Sequence, residues 1–475
     1  MERMVRQMKK RHLFFAWILV AGALCSPGFA APTPLPLFAE KTPVSVRSPR
    51  ASVSASVTVG SFNELRAAVE AANGGAGEKT ILLRDGVYQI PSGGGLYVTA
   101  DGVTIRSVSG RRESAVVQGL GMEEGAGVSH GFLVAGKNFT LENLTIRNVR
   151  NHGVQIQGEL DADNPVVRNV IFQNTGEQML KVSYDAARPS AGSDGGLVEH
   201  CLFEYTAGQG PRWYIGGVDA HNAKNWVIRG NTFRDIQNPG EGEDPSEHAV
   251  HFWSNSENTL VERNLIVDCD RGIGFGLGDR GHSGGTIRNN MIYHSGAGGV
   301  PDVGIGLENA RDAQVYNNTI YFESGYPNAI EIRFAGTAGG FVRNTLTNRA
   351  VALRDGGSAA QSANVTDAIS TWFVQASTGN LRLASAVPSV VDRGAPVAGL
   401  TDDFDGAPRP VGAGYDIGAH EYGSAPEPSP TPAPSPSPEE RSGGGGCSVD
   451  GLPDAKIAAA LLLIPVAVGA VAKKK

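Results

Sequence analysis

Eight short segments, GVQIQ, MLKVS, GVDAH, AVHFW, GIGFG, VGIGL, AIEIR and AVALR, follow one another along the chain and alternate apolar with polar or glycine positions. Laid side by side, they place their outward residues in rows. The first row reads Gln155, Lys181, Asp219, His251, Gly274, Gly306, Glu331 and Ala352, and the second reads Gln157, Ser183, His221, Trp253, Gly276, Glu308, Arg333 and Arg354. A third row, just before the segments, holds His152, His248 and Arg271. Imidazoles among carboxylates and cations can supply a general base and a group that neutralises developing charge. His251, His248, His221, Asp219, Glu308 and Arg271 are therefore the catalytic candidates, for eliminating a uronate or cleaving a glycoside. Trp253, Lys181, Glu331 and Arg333 are candidates for substrate contact, joined by Trp213 and Tyr214 from the longer loop GQGPRWYIGG. The aromatic rings would stack on sugar rings, and the glycines would let a flat ligand approach the backbone. The alternative is that these residues only solvate one face while the glycines keep it tight.

Something must hold the segments in register, and a second recurring phrase does so. LENLTI, VVRNVIF, LVEHCLF, VIRGNTF, LVERNLI, TIRNNMI, QVYNNTI and FVRNTLT repeat with a mean spacing of about 29 residues and irregular gaps. A constant phrase with variable gaps means one stacked coil with loops of different length. Ile146, Phe172, Phe203, Phe233, Ile266, Ile292 and Ile320 would then form one inward column. Asn231, Asn264, Asn290 and Asn318 would stack at a turn, bonding along the axis, with Asn chosen for its tolerance of left-handed backbone. Gly is abundant, 63 of 475 residues, which disfavours a helical body. The fold class predicted is all-β, a right-handed parallel β-helix. FNELRAAVEAAN (Phe62 to Asn73) has helical apolar spacing behind a Ser61/Glu64 capping box, and would cap the first coil.

The coil pattern resembles the pectate-lyase-like superfamily over residues 56–395. The stretch SEHAVHFWSNSENTLVERNLIVDCDRGIGFGLG is similar to polysaccharide lyase family six, which cleaves alginate or chondroitin-type chains. That family's lysine base falls at Asn255, its arginine at Gly276 and its two calcium-binding acids at His248 and Val250, so its mechanism is not carried over. GNTF (Gly230 to Phe233) and GHSGG (Gly281 to Gly285) match the polygalacturonase motifs poorly. Asp244, Pro245, Ser246, Glu247 and His248 hold the residues of an alginate-epimerase motif in changed order.

The ends carry addresses. Residues 1–30 have a basic start, an apolar run from Leu13 to Leu24 and small residues at the end, the plan of a secretory signal; residues 31–55 read as a disordered leader. TDDFDGAPRP and GYDIGAHEY, within 396–422, resemble a choice-of-anchor type Q segment. Its acids Asp402, Asp403, Asp405 and Asp416 could bind Ca²⁺, or form Asx turns that close the helix end. Residues 423–442 are a Pro/Ser linker. Residues 443–475, with Cys447, an apolar stretch and three lysines, resemble tripartite C-terminal sorting signals, which implies processing or lipid attachment at Cys447 and membrane contact through the tail before processing. Together these imply an exported chain at a bacterial cell surface or outside the cell. Cys201 and Cys269, two coils and roughly 10 Å apart, are too distant to bridge. Residues 31–472 carry a net charge of −14, so nucleic acid is excluded as a partner. The expected partner of this monomer is an extracellular polysaccharide, either modified or, as a non-catalytic adhesin or matrix protein, only bound.

Overall fold

The computed structural model describes residues 55–424, except 124, 126 and 241–243. The signal segment, the Pro/Ser linker and the tail with Cys447 lie outside the described residues, as does the leader up to residue 54. Each coil lays one strand into each of three parallel sheets of twelve, ten and ten strands. The first sheet runs from Ser56–Val59 to Ala359–Ser362 and the second from Gly86–Gln89 to Leu346–Thr347. The third sheet carries the candidate site. Its strands are β1 (Leu96–Val98), β2 (His130–Val134), β3 (His152–Ile156), β4 (Leu180–Val182), β5 (Val218–His221), β6 (His248–Trp253), β7 (Arg271–Phe275), β8 (Ile305–Glu308), β9 (Asn328–Arg333) and β10 (Ala350–Arg354). They pair in chain order.

Alternation decides the inside. Ile146, Phe172, Phe203, Phe233, Ile266, Ile292 and Ile320 are direct neighbours in the second sheet and all buried. Phe172, Phe203 and Phe233 stack with ring centroids 4.7 Å apart at each step, the strand spacing imposed on their rings. Asn231, Asn264, Asn290 and Asn318 form the expected ladder, each Nδ2 donating to the next Oδ1 at 3.0 Å. The left-handed backbone falls elsewhere. Residues one position earlier, Gly230, Arg263, Asn289 and Asn317, have positive φ, because each ladder Asn spends its side chain on neighbouring backbone and amide groups while the preceding residue makes the corner.

α1 (Phe62–Asn73) starts at Ser61, whose Oγ accepts from Glu64 N at 3.3 Å, and Glu64 reaches back to Gly60 N at 2.7 Å. Its stripe Phe62, Leu65, Val69 and Ala72 is buried in the same core as Ile81 and Leu83. After the last coil strand the chain folds back. Phe373, Leu381, Leu383, Val390 and Ile417 pack on Val267, Tyr293 and Tyr321, so a second core lies over outward positions of the second sheet. Cys201 and Cys269 are free and buried.

The acids of this closing segment hold the chain together. Asp403 accepts backbone N–H from Asp405, Ala407 and Glu421, and Asp416 from Asp392 and Tyr422. Asp405 is bidentate with Arg382, and Asp402 pairs with Arg263 at 3.4 Å. Carboxylates spent in this way do not suit Ca²⁺, which needs six to eight free oxygen ligands. Among the described residues no helix is long and apolar enough to cross a membrane.

Candidate functional site on the third sheet

The rows read from sequence are the rows of the sheet. Gln155, Lys181, Asp219, His251, Gly274, Gly306, Glu331 and Ala352 are consecutive cross-strand partners. His221 pairs with Trp253, Glu308 with Arg333 and Arg333 with Arg354, and His248 with Arg271 at the strand starts.

On β4 to β6 these residues form one buried knot. Lys181 Nζ donates a very short bond to Asp219 and a second, of 2.9 Å, to His221 Nε2. An ammonium only donates, so His221 Nε2 is the acceptor and its proton sits on Nδ1, 3.0 Å from Ser254 Oγ. Asp219 also accepts from Trp253 Nε1 at 2.7 Å. Burial alone would raise the Asp219 carboxyl, but the Lys181 charge and hydrogen bond hold it well below its ordinary value. Burial and the Lys181 charge push His221 down to about 3, so this imidazole is neutral at physiological pH. Lys181 stays protonated: burial works against its charge, yet Asp219 carries it above its ordinary value.

His251 and His248 continue the knot. His251 is fully buried, with Nε2 3.1 Å from Gly276 O, and its ring lies 4.4 Å from that of His248 and 5.0 Å from that of Trp253. The expected glycine floor is partly taken by the protein itself. A Cβ on Gly274 would lie 2.7 Å from His248 Nε2; the missing side chain makes room for this imidazole rather than for a ligand. Gly276 is a turn residue with φ +77° whose Cβ would strike Glu308 O. Gly306 alone is open, its nearest neighbour at 3.4 Å.

Next to the knot lies a cavity of about 80 Å³ whose walls include His248, Arg271, Glu308, Tyr326, Glu331 and Arg333. Its charges are paired. Arg271 binds Asp302 at 2.8 Å, Arg333 binds Glu308 at 2.8 Å and Asp355 at 2.8 Å, and Glu331 accepts from Tyr326, Asn328 and Arg354 at 2.6–2.7 Å. Trp253 is not a free platform: it is 8% exposed, and the Arg280 guanidinium lies 3.8 Å over its ring. Trp213, 36% exposed, is the open aromatic, edge-on to Tyr214 at 5.3 Å. The Tyr214 hydroxyl is pushed up by burial, while the Lys181 charge pulls it down and Asp219 pushes it up. His152 belongs to a separate pair, donating from Nδ1 to Gln178 O at 2.7 Å with Nε2 3.4 Å from Glu177. The site candidates read from sequence leave out Asp302, Tyr326 and Arg280, and also Glu247, which enters only within the epimerase-like stretch; all lie in segments between the recurring phrases. Glu247 stood next to His248 and was the most visible of them.

A family model described as a right handed beta helix region matches residues 85–279, and the chain is an all-β protein of the right-handed parallel β-helix class. No curated protein matches it. Similar solved structures include pectate lyase Pel9A, at 16% identity and TM-score 0.39 over 72% of this chain and 87% of that one. PfbA, a surface adhesin of Streptococcus pneumoniae, is 14% identical with TM-score 0.40 over 60% and 81%. A tailspike protein of E. coli bacteriophage HK620 in complex with a pentasaccharide is 14% identical with TM-score 0.43 over 65% and 63%.

Proposed function

We propose that this protein is an exported, surface-attached β-helix that binds an extracellular polysaccharide along the third sheet and cleaves it. One observation carries the reading: on six consecutive strands, β4 to β9, the outward residue is polar, ionisable or glycine, all on the same side of the sheet, with Lys181, Asp219, His251 and Glu331 themselves buried there. At ~4.8 Å per strand the row is roughly 24 Å long, a length that suits an extended chain better than a compact small molecule. Its cations are already matched by acids, which favours a hydroxyl-rich ligand over a polyanion. Partnerless nitrogens on His248 and His251 are the groups of this row whose lone pairs or protons are not already spent on a protein partner. A non-catalytic adhesin is the second reading, favoured by the pairing of Lys181, Arg271, Glu308 and Arg333.

The test is a panel of neutral and uronate polysaccharides incubated with the purified protein, following binding by affinity electrophoresis, new reducing ends, and ultraviolet absorbance of unsaturated uronates. Cleavage that disappears in His251→Ala while binding persists supports the enzyme. Binding without cleavage gives the adhesin, and no binding to any sugar overturns both. Attachment rests on the tail: Cys447→Ala should leave an uncut precursor, whereas intact tail on the surface form would indicate a permanent anchor.

A further inference from the structure

Glu247, His248 and His251 stand together at the start of β6, and one ligand atom from each lies within 4.8 Å of the other two. Three of their atoms, Glu247 Oε2, His248 Nδ1 and His251 Nδ1, are buried without a hydrogen-bond partner in the protein. Buried polar atoms are rarely left so, and three in one place need a cause.

The tautomer of His251 supplies it. Its Nε2 is 3.1 Å from Gly276 O, and a carbonyl only accepts, so Nε2 carries a proton, and whenever the ring is neutral Nδ1 presents a lone pair. That lone pair faces Glu247 Oε2 at 3.6 Å and Asp219 Oδ1 at 3.8 Å. With the ring neutral, its electron pair and those of two carboxylates face one another in a buried place, an unfavourable arrangement that a cation between them reverses, whether a second proton on Nδ1 or a metal ion.

We propose that Glu247, His248 and His251 form a binding site for a divalent transition metal of the Zn²⁺ class. Two imidazoles and one carboxylate suit such an ion, whereas Ca²⁺ and Mg²⁺ prefer all-oxygen shells. Donors about 3.3 Å apart surround Zn²⁺ tetrahedrally at bond lengths of ~2.0–2.1 Å, so the 3.6 Å Glu247–His251 separation is nearly closed already. The Gly276 carbonyl fixes the His251 ring, as outer partners of metal-bound histidines do. Asp219 is left outside, occupied by Lys181 and Trp253. Three protein ligands leave a fourth position for water or a substrate oxygen, and His248 also walls the 80 Å³ cavity. The other cluster, Asp403, Asp405 and His420, offers no comparable site, because its carboxylate oxygens already accept backbone and Arg382 donors.

The purified full chain is stripped with EDTA and titrated with Zn²⁺ by calorimetry and with Co²⁺ by visible absorption at neutral pH, with circular dichroism recorded for each variant. One ion per chain at micromolar affinity or tighter, with Co²⁺ bands typical of a four- or five-coordinate site, is the expected result. Glu247→Gln, nearly isosteric, and His248→Ala should each weaken Zn²⁺ by about tenfold or more, and His420→Ala should leave affinity unchanged. His251→Ala should abolish the Co²⁺ bands; should it fail to fold, Glu247→Gln decides alone. The proposal is overturned if the wild-type chain takes up no Zn²⁺, if Ca²⁺ binds in its place, if Glu247→Gln leaves affinity intact, or if nitrogen NMR finds the His251 ring doubly protonated in Zn²⁺-treated protein.

Discussion

Adding a single methyl group at Gly274 tests the geometry of the site without removing or replacing a polar group. Gly274 is not in the left-handed region, so alanine fits the backbone. Its Cβ would meet His248 Nε2, Cδ2 and Cε1 at 2.7, 2.8 and 2.9 Å, closer than non-bonded atoms approach. The ring is 6% exposed and lies against His251, so it can leave only by breaking that contact. Overpacking of this kind costs roughly 1–3 kcal/mol, partly offset by the ~0.4–1 kcal/mol that Gly→Ala gains through the unfolded chain. The net cost of Gly274→Ala is thus about 0.5–2 kcal/mol. In a His248→Ala background the obstacle is gone, and the same change should be neutral or stabilising, so the pair should couple by about 1–3 kcal/mol. Gly306→Ala one coil later, with its nearest neighbour at 3.4 Å, is the control. Urea unfolding followed by circular dichroism measures all four variants. Equal costs for Gly274→Ala with and without the His248 ring would show that the imidazole does not occupy that gap, and the metal geometry would fall with it.

Phe233→Ala removes a ring from the buried stack of the second sheet and should cost about 3–5 kcal/mol; a loss below about 1 kcal/mol in urea unfolding would deny that the column is packed. Lys181→Met strands the Asp219 carboxylate in the interior and should cost about 3–5 kcal/mol, most of it recovered by adding Asp219→Asn; no recovery would mean the two do not act as a pair. Burial, with the Lys181 charge at His152 and His221, lowers His152, His221 and His282 from 6.5 to about 3. Between those values the unfolded chain binds protons that the folded chain refuses, so stability is full above pH 6.5 and falls as the pH drops toward 3. By roughly pH 5 each histidine should have removed about 2 kcal/mol, read as falling urea midpoints; a flat profile would show that these rings are not held neutral by the fold.

The coil register was legible because two constraints agree in every repeat. The phrase ending at Ile146, Phe172 or Phe203 must turn that residue inward, and period-two alternation then fixes each neighbour, whatever the length of the loop between. The corner escaped by one residue, since Asn at a turn is read as left-handed, while here it is the ladder donor and Arg263, Asn289 or Asn317 takes the positive φ. The closing layer was less legible for a different reason. Phe373, Leu381 and Leu383 resemble further coil positions, and the sign that they belong outside lies in Val267, Tyr293 and Tyr321, apolar residues at outward positions that need a cover.

The candidate site shows the same division between strand and loop. Strand alternation identifies which side chains share a face, so Lys181, Asp219, His221 and His251 could be placed together from their spacing alone. It does not reveal which of them are free. Asp302 takes Arg271, Tyr326 takes Glu331 and Arg280 covers Trp253, and each comes from a segment whose length varies between coils and whose path no repeat dictates. Glu247 stands just ahead of β6, where alternation gives no direction, yet its oxygen ends 3.6 Å from His251. A groove of paired charges has little left with which to bind a charged ligand or move a proton. The atoms of this face that remain unpaired include Glu247 Oε2, His248 Nδ1 and His251 Nδ1, on three residues that each bring a ligand atom within 4.8 Å of the other two.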